Sequence, residues 1–174
     1  MNLEQSYLKV VEFQTFFDFK VNDLVLRKSL LNEEMLELLT ANNEIDKLDG
    51  YLDSIYVILG SLHNLGYGFD AEKYNGMFFC DGYEKELYLT LRNLNSDFKK
   101  DFPNTNHDEA FAEVHNSNMS KACENLDTVH RTIANRPNEI LHYIIYDGKY
   151  FVRNEENKLI KSIDYKPANL TRFV

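Results

Sequence analysis

RKSLLNEEMLELLTANNEIDKLDGYLDSIYVILGSLHNLG, residues 27–66, is the stretch from which the rest of the chain takes its order. Its apolar residues recur at helical spacing and are interrupted by a polar connection at residues 40–44, which predicts two helices joined as an antiparallel hairpin. Both carry carboxylates in apolar surroundings. On the first, Glu33, Glu37 and Glu34 fall at roughly 0°, 40° and 100° around the helix axis, while Leu31, Met35, Leu36, Leu38 and Leu39 take the remaining circumference. On the second, Asp49 and Asp53 stand one turn apart with Asp46 near the same line, and Tyr51, Leu52, Ile55, Tyr56, Val57, Ile58, Leu59 and Leu62 cover nearly everything else. A helix that is apolar all round is expected to be buried. A carboxylate carried into the interior is costly unless it is paired or binds a metal. Two facing arcs of oxygen donors, joined by no His or Cys, suit Mg²⁺, with Mn²⁺ as a substitute. The plainer alternative is a solvated acidic face, with Asp46 capping its helix and Glu33 and Glu34 in a first turn.

Two further stretches join this hairpin in chain order: AFAEVHNSNMSK at residues 110–121 and DGKYFVRNEENKLIKSIDYKPANL at residues 147–170. With EExxE on the first helix and DxxxD leading into IYVILG on the second, they resemble the all-α nucleoside triphosphate pyrophosphohydrolases, the group of the MazG-like and phosphoribosyl-ATP pyrophosphohydrolase enzymes. The resemblance implies an all-α helical bundle that hydrolyses a nucleoside triphosphate to monophosphate and pyrophosphate with Mg²⁺. It carries Glu34, Glu37 and Asp53 onto metal ligands, with Glu33 beside them. Where the family shows ExxD this chain has Gly50 three residues before Asp53, so Asp49 is the substitute ligand. Glu33 or Glu34 would be the general base. Asn118 and Lys121 would contact phosphates, although Asn116 stands where relatives often have arginine. Gln14, in the phenylalanine-rich FQTFF with Phe13 and Phe17, would lie near the base, and Lys161 and Tyr165 of the tail would be further ligand contacts. For these last residues, plain packing and exposed surface chemistry explain the pattern equally well.

Length and composition bound the remainder. With 174 residues and 44% hydrophobic content the chain is expected to form one domain, residues 1–174, with a real core. A net charge of −9 argues against nucleic-acid or anionic-membrane partners, which need basic patches. Cys80 and Cys123 lack a CxxC spacing and imply no disulfide framework, which fits a reducing cytoplasm. No twenty-residue apolar run and no signal peptide is recognisable.

An amphipathic helix is expected at about residues 3–19, followed by a turn and cap at Asn22 and Asp23. Residues 67–107 read as an insertion, punctuated by Gly and Asn, with an extra helix at about 84–98; its position favours neither a lid over the site nor an extension of a subunit interface. A third core helix is expected at about 108–125, with Asn118 and Lys121 three apart on one face, and a shorter one at about 126–138. From about residue 139 to 174 the pattern changes: β-branched and aromatic residues around Asp147 and Gly148, and again around residues 155–157, predict a small β-ribbon and an extended tail. Because the central helices are apolar nearly all round, a homodimer or dimer of dimers is expected. The expected function is Mg²⁺-dependent pyrophosphohydrolysis of NTP or dNTP. The alternatives are phosphoribosyl-ATP hydrolysis and a non-catalytic helical module that senses nucleotides.

Overall fold

The computed structural model describes residues 1–19, 22–76, 80–155 and 158–174. It is mainly helical with one antiparallel hairpin near the C-terminus, in agreement with the expected fold class. The helices are α1 (Leu3–Phe16), α2 (Leu24–Thr40), α3 (Glu44–Asn64), α4 (Ala71–Tyr74), α5 (Gly82–Asp101), α6 (His107–Met119) and α7 (Leu126–Ala134). The strands are β1 (Leu141–Tyr146) and β2 (Lys149–Asn154), and a 3₁₀ turn, Thr171–Phe173, closes the chain. No helix among the described residues is long and apolar enough to cross a membrane.

The starts of the central helices follow from capping side chains. Asp23 accepts the Leu26 N–H at 2.9 Å and begins α2, and Asn43 accepts the Asp46 N–H at 2.9 Å and begins α3. Only residues 41–43 separate the two, so they pack as a hairpin. The centre of the fold is α3: Leu48, Leu52, Ile55, Ile58, Leu59 and Leu62 are fully inaccessible to solvent. Each such burial is worth about 1.5–3 kcal/mol. Helices α1, α2, α5 and α6 all pack on α3.

Two expectations are corrected here. The α5 part of the segment at 67–107 belongs to the core and is not an addition outside it, because Leu87, Leu91, Leu94 and Phe98 share one face of that helix and lie buried against α3. The Tyr88 hydroxyl fastens the preceding loop, donating to the Gly68 carbonyl at 3.0 Å and accepting the Asp70 N–H at 2.8 Å. The second correction concerns α2, of which only Arg27 is buried among the described residues, whereas Leu36 and Leu39 are 61% and 78% exposed. It covers α3 from one side and turns its other side to solvent.

Helix ends also differ from expectation. The first helix stops at Phe16, where Phe17 and Asp18 turn, the latter at φ 49°. The third core helix stops at Met119 because Ser120 caps it, its hydroxyl donating to the Ser117 carbonyl at 2.7 Å. The chain is then drawn away by Cys123, which pairs with Tyr150 of β2 through backbone bonds of 2.8 and 3.3 Å. Asp147 and Gly148, both at positive φ, make the hairpin turn as expected. The pairing sets Tyr143 opposite Val152 and Ile144 opposite Phe151. The second expected turn falls partly outside the described residues, at 156 and 157; beyond it Leu159 makes only an isolated bridge to Arg153. The ribbon sits over a second small core of Cys123, Val129, Val152 and Ile160.

Gly50 accounts for the departure from ExxD. A Cβ built there would lie 2.8 Å from the Leu38 Cα, so the α2 backbone occupies the space where a side chain would start. The Gly50→Ala variant gains about 1 kcal/mol of helix propensity but must push two backbones apart, an overpacking cost of about 1–3 kcal/mol. It is expected to be less stable than the parent in urea denaturation. A stability gain would show that α2 and α3 are not in this contact.

Candidate functional site

The hairpin of α2 and α3 brings Glu34, Glu37, Asp49 and Asp53 within electrostatic reach of one another. Asp53 is pushed from its ordinary 3.8 to about 8, first by burial and then by the negative charges of Asp49 and Glu34, while Lys121 opposes the rise. Glu34 rises to about 7, again first by burial, then through Glu37, with Lys121 opposing and Asp49 and Glu33 adding. Asp49 is raised by burial, Glu37 and Asp46, with Lys161 acting against it. None of these four carboxylates makes an ion pair among the described residues. Glu37 is exposed and the other three are partly buried, so the raised values are those of acids drawn partway inward by a helix hairpin without full compensation by cations.

Lys121 lies beyond the end of α6 and not on it, yet stays beside Asn118. Its ammonium donates to Asn118 Oδ1 at 2.6 Å and stands 5.8 Å from the centre of the Phe13 ring. Burial lowers its pKa, Asp53 and Glu34 counter that fall, and Lys161 and Lys158 add to it. The tail is fastened to the same corner: the Tyr165 and Ser117 hydroxyls are 2.8 Å apart, and the Lys166 N–H donates to Ser120 Oγ at 3.0 Å. The Lys161 ammonium rests 4.7 Å from the Tyr165 ring centre. The chain thus gathers Glu34, Glu37, Asp49, Asp53, Asn118, Lys121 and Lys161 in one electrostatic neighbourhood, with Tyr165 holding its edge.

Glu33 and Asp46 stand at the edge of this neighbourhood, their charges acting on Glu34 and Asp49, and Gln14 lies apart from it. Glu33 is exposed on the neighbouring side of α2 and accepts the Ser29 hydroxyl at 3.2 Å. Asp46 is a cap residue, its carboxylate accepting from Asn43 Nδ2 at 2.8 Å. Gln14 is buried and donates to the Gly60 carbonyl at 3.0 Å, bracing α1 against α3. Phe17 is fully buried as well, whereas Phe13 keeps partial exposure beneath Lys121.

The donor set, oxygen atoms only, has the chemistry of a site for a hard divalent cation. Its geometry is open: no three acidic, histidine or cysteine side chains among the described residues stand close enough together to hold one ion. An ion that uses one or two carboxylates together with water and phosphate oxygens, as Mg²⁺ commonly does, fits such an arrangement. Tyr56, which the sequence offers as apolar cover, and His115, expected to be structural or exposed, are both buried and linked by a hydrogen bond of 3.1 Å. The signal for that link was present in the three-residue steps from Asp53 to Tyr56 and from His115 to Asn118.

Comparison with protein-family models, with curated proteins and with solved structures gives no match to this chain.

The raised carboxylates fix the pH dependence of metal-free stability. A folded acid whose pKa lies above its unfolded value binds more protons in the native state, so stability falls as pH rises between the two values. For Asp53 that window runs from its ordinary 3.8 to about 8, and for Glu34 from 4.5 to about 7. Thermal melting in chelator is expected to weaken across this window, and Asp53→Asn or Glu34→Gln to flatten the decline and match or exceed the parent at pH 8. A parent whose stability rises with pH through the window would contradict this electrostatic reading.

Proposed function

We propose that the chain is a Mg²⁺-dependent nucleoside triphosphate pyrophosphohydrolase that converts an NTP or dNTP and water to the monophosphate and pyrophosphate. The observation that carries the reading is the concentration of Glu34, Glu37, Asp49 and Asp53 beside Lys121, with Asp53 and Glu34 raised far above ordinary carboxylates. Glu34 and Asp53 would hold the cation, water and phosphate oxygens would complete its shell, and Glu37 and Asp49 would add negative charge beside it. When bound, the cation supplies charge neutralisation for the triphosphate and acidifies a coordinated water.

The chain's own groups divide the remaining tasks. Lys121 and Asn118 orient the phosphates, the ammonium countering charge that develops on the leaving pyrophosphate. Lys161 reaches the same phosphates from the tail. Glu33, exposed beside Glu34 at the solvent edge of the carboxylate group, takes the proton from the attacking water. Glu34 takes that role only if it does not ligate the cation. Phe13, partly exposed under Lys121, is the surface left for the base, since Gln14 and Phe17 are spent on packing. The exposed apolar residues of α2, Leu24, Val25, Leu36 and Leu39, support the homodimer or dimer of dimers as part of the same proposal.

A second reading has a specific observation in its favour. Among the described residues no ligand trio is preformed, and Lys121 itself opposes the charges of Asp53 and Glu34, as in a non-catalytic helical module that senses nucleotides. The two readings separate in a panel of canonical and damaged ribo- and deoxyribonucleoside triphosphates incubated with Mg²⁺, with monophosphate and pyrophosphate quantified. Pyrophosphate release is expected from at least one member, with Asp53→Asn and Glu34→Gln lowering it by about 10²-fold or more, the scale of losing a positioned electrostatic group. No turnover of any member, or release of orthophosphate alone, would reject the enzyme reading.

A further inference from the structure

The β-hairpin has one edge covered and one edge open. Along β2, the Tyr150 N–H and C=O both bond to Cys123, at 3.3 and 2.8 Å. The Val152 carbonyl accepts the Ile160 N–H at 2.8 Å, and the Asn154 N–H donates to the Lys158 carbonyl at 3.1 Å. The backbone groups of these three residues therefore point away from β1. Their partners across the hairpin are Ile145, Tyr143 and Leu141. In an antiparallel ladder two opposed residues either exchange both bonds or both point outward. The N–H and C=O groups of Leu141, Tyr143 and Ile145 thus face the far side of β1, where the sheet has no further strand and no hydrogen bond reaches them among the described residues.

This edge also lacks the devices that keep sheet edges apart. Residues 140–146, ILHYIIY, contain no Asp, Glu, Lys, Arg or Pro, and the pairing with β2 runs from Leu141 to Tyr146 without a bulge. Ile140, Tyr143, Ile145 and Tyr146 are exposed, Tyr143 by 42% and Ile145 by 58%. In a chain of net charge −9, it is a stretch that a second copy can approach without burying a charge.

We propose that β1 is a self-association edge, which pairs antiparallel with β1 of a second copy about a two-fold axis at Tyr143 and makes one four-stranded sheet. The occupant follows from the symmetry of the edge. Pairing centred on Tyr143 sets Leu141 against Ile145 of the second copy, Tyr143 against Tyr143, and Ile145 against Leu141, so all three outward residues exchange bonds with the same three of the other copy. Ile140 then meets Tyr146. An axis at His142 or Ile144 would leave one outward residue facing beyond the strand, and a one-residue slip would set open groups against groups already bonded to β2. Cys123 and Ile160 occupy the far edge of β2, so pairing closes at two copies and does not propagate into a ribbon. The association requires no catalytic activity and is separate from the contact suggested by the exposed residues of α2. Where α2 also pairs, β1 pairing is the step from dimer to tetramer.

The test uses the full chain. Amide hydrogen exchange of the parent is followed as protein concentration is raised. The Leu141, Tyr143 and Ile145 amides are expected to gain protection by about tenfold once free protein stands about tenfold above the dissociation constant, whereas His142 and Ile144, bonded to β2, stay unchanged. Sedimentation equilibrium is then measured for Tyr143→Lys and Tyr143→Glu, both at an exposed position whose backbone is not bonded to β2. Each alone is expected to lose one association step, because like charges stand directly opposed at the axis, and an equimolar mixture to regain it through opposite charges. Protection at Leu141, Tyr143 and Ile145 that is independent of concentration would overturn the proposal, whatever the variants do. A parent mass kept by both variants, or variants with parent circular dichroism that lose the step and do not regain it on mixing, would overturn the two-fold at Tyr143. Concentration-dependent mass without concentration-dependent protection would assign association to α2 alone and reject β1 pairing. Turnover of triphosphates has no bearing on any of these outcomes, so the enzyme reading and the edge pairing fail separately.

Discussion

Asp53 stays partly buried because it shares the less covered line of α3 with Asp49 and Val57, while the rest of that helix is packed away from solvent. Leu52, Ile55, Ile58 and Leu59 are inaccessible on the other sides of α3, and exposing any one of them to move the carboxylate outward would forfeit about 1.5–3 kcal/mol. The apolar burial of α3 therefore fixes the position of its acids. Helix α2 then adds Glu34 and Glu37 at a distance set by backbone contact at Gly50 and Leu38. The energetic conflict at the site is a consequence of the packing that stabilises the fold.

That conflict is relieved from the C-terminal side. Lys121 follows the end of α6, and Lys161 arrives on a tail fastened through Ser117, Ser120 and Tyr165. The β-ribbon, which anchors the chain after Lys121 through Cys123 and Tyr150, thereby sets where both ammonium groups can stand. These cations oppose the carboxylate shifts without cancelling them, since Asp53 and Glu34 remain high. A site left net negative and partly dry accepts a further cation; one already neutral would not.

Much of this was legible in the sequence where local chemistry decides. The caps Asp23 and Asn43, the hairpin turn at Asp147 and Gly148, and the acidic residues on the two central helices could be read from spacing alone. What could not be read depended on which surface meets which. Helix α5 has a plain amphipathic pattern, but nothing in Leu87, Leu91, Leu94 and Phe98 says that they complete the core and do not lid it. The apolar residues of α2 look like those of a buried helix, yet Leu36 and Leu39 face outward because α2 has a neighbour on one side only. Gln14 reads as a polar residue available for a ligand until its amide is found on the Gly60 carbonyl. Lys121 falls two residues beyond the end of α6, inside the span that the sequence assigns to that helix, and the turn that follows still keeps it beside Asn118.

The central claim is that Glu34 and Asp53 form a cation site from which protons must leave before a metal can enter. Titration calorimetry with Mg²⁺ at pH 7, repeated in buffers of different ionisation enthalpy, measures this directly, because ligands must be deprotonated to bind. The account predicts cation binding accompanied by net proton release in the parent chain, with both reduced in Glu34→Gln and Asp53→Asn. Binding without proton release, or binding unaltered by these substitutions, would contradict it.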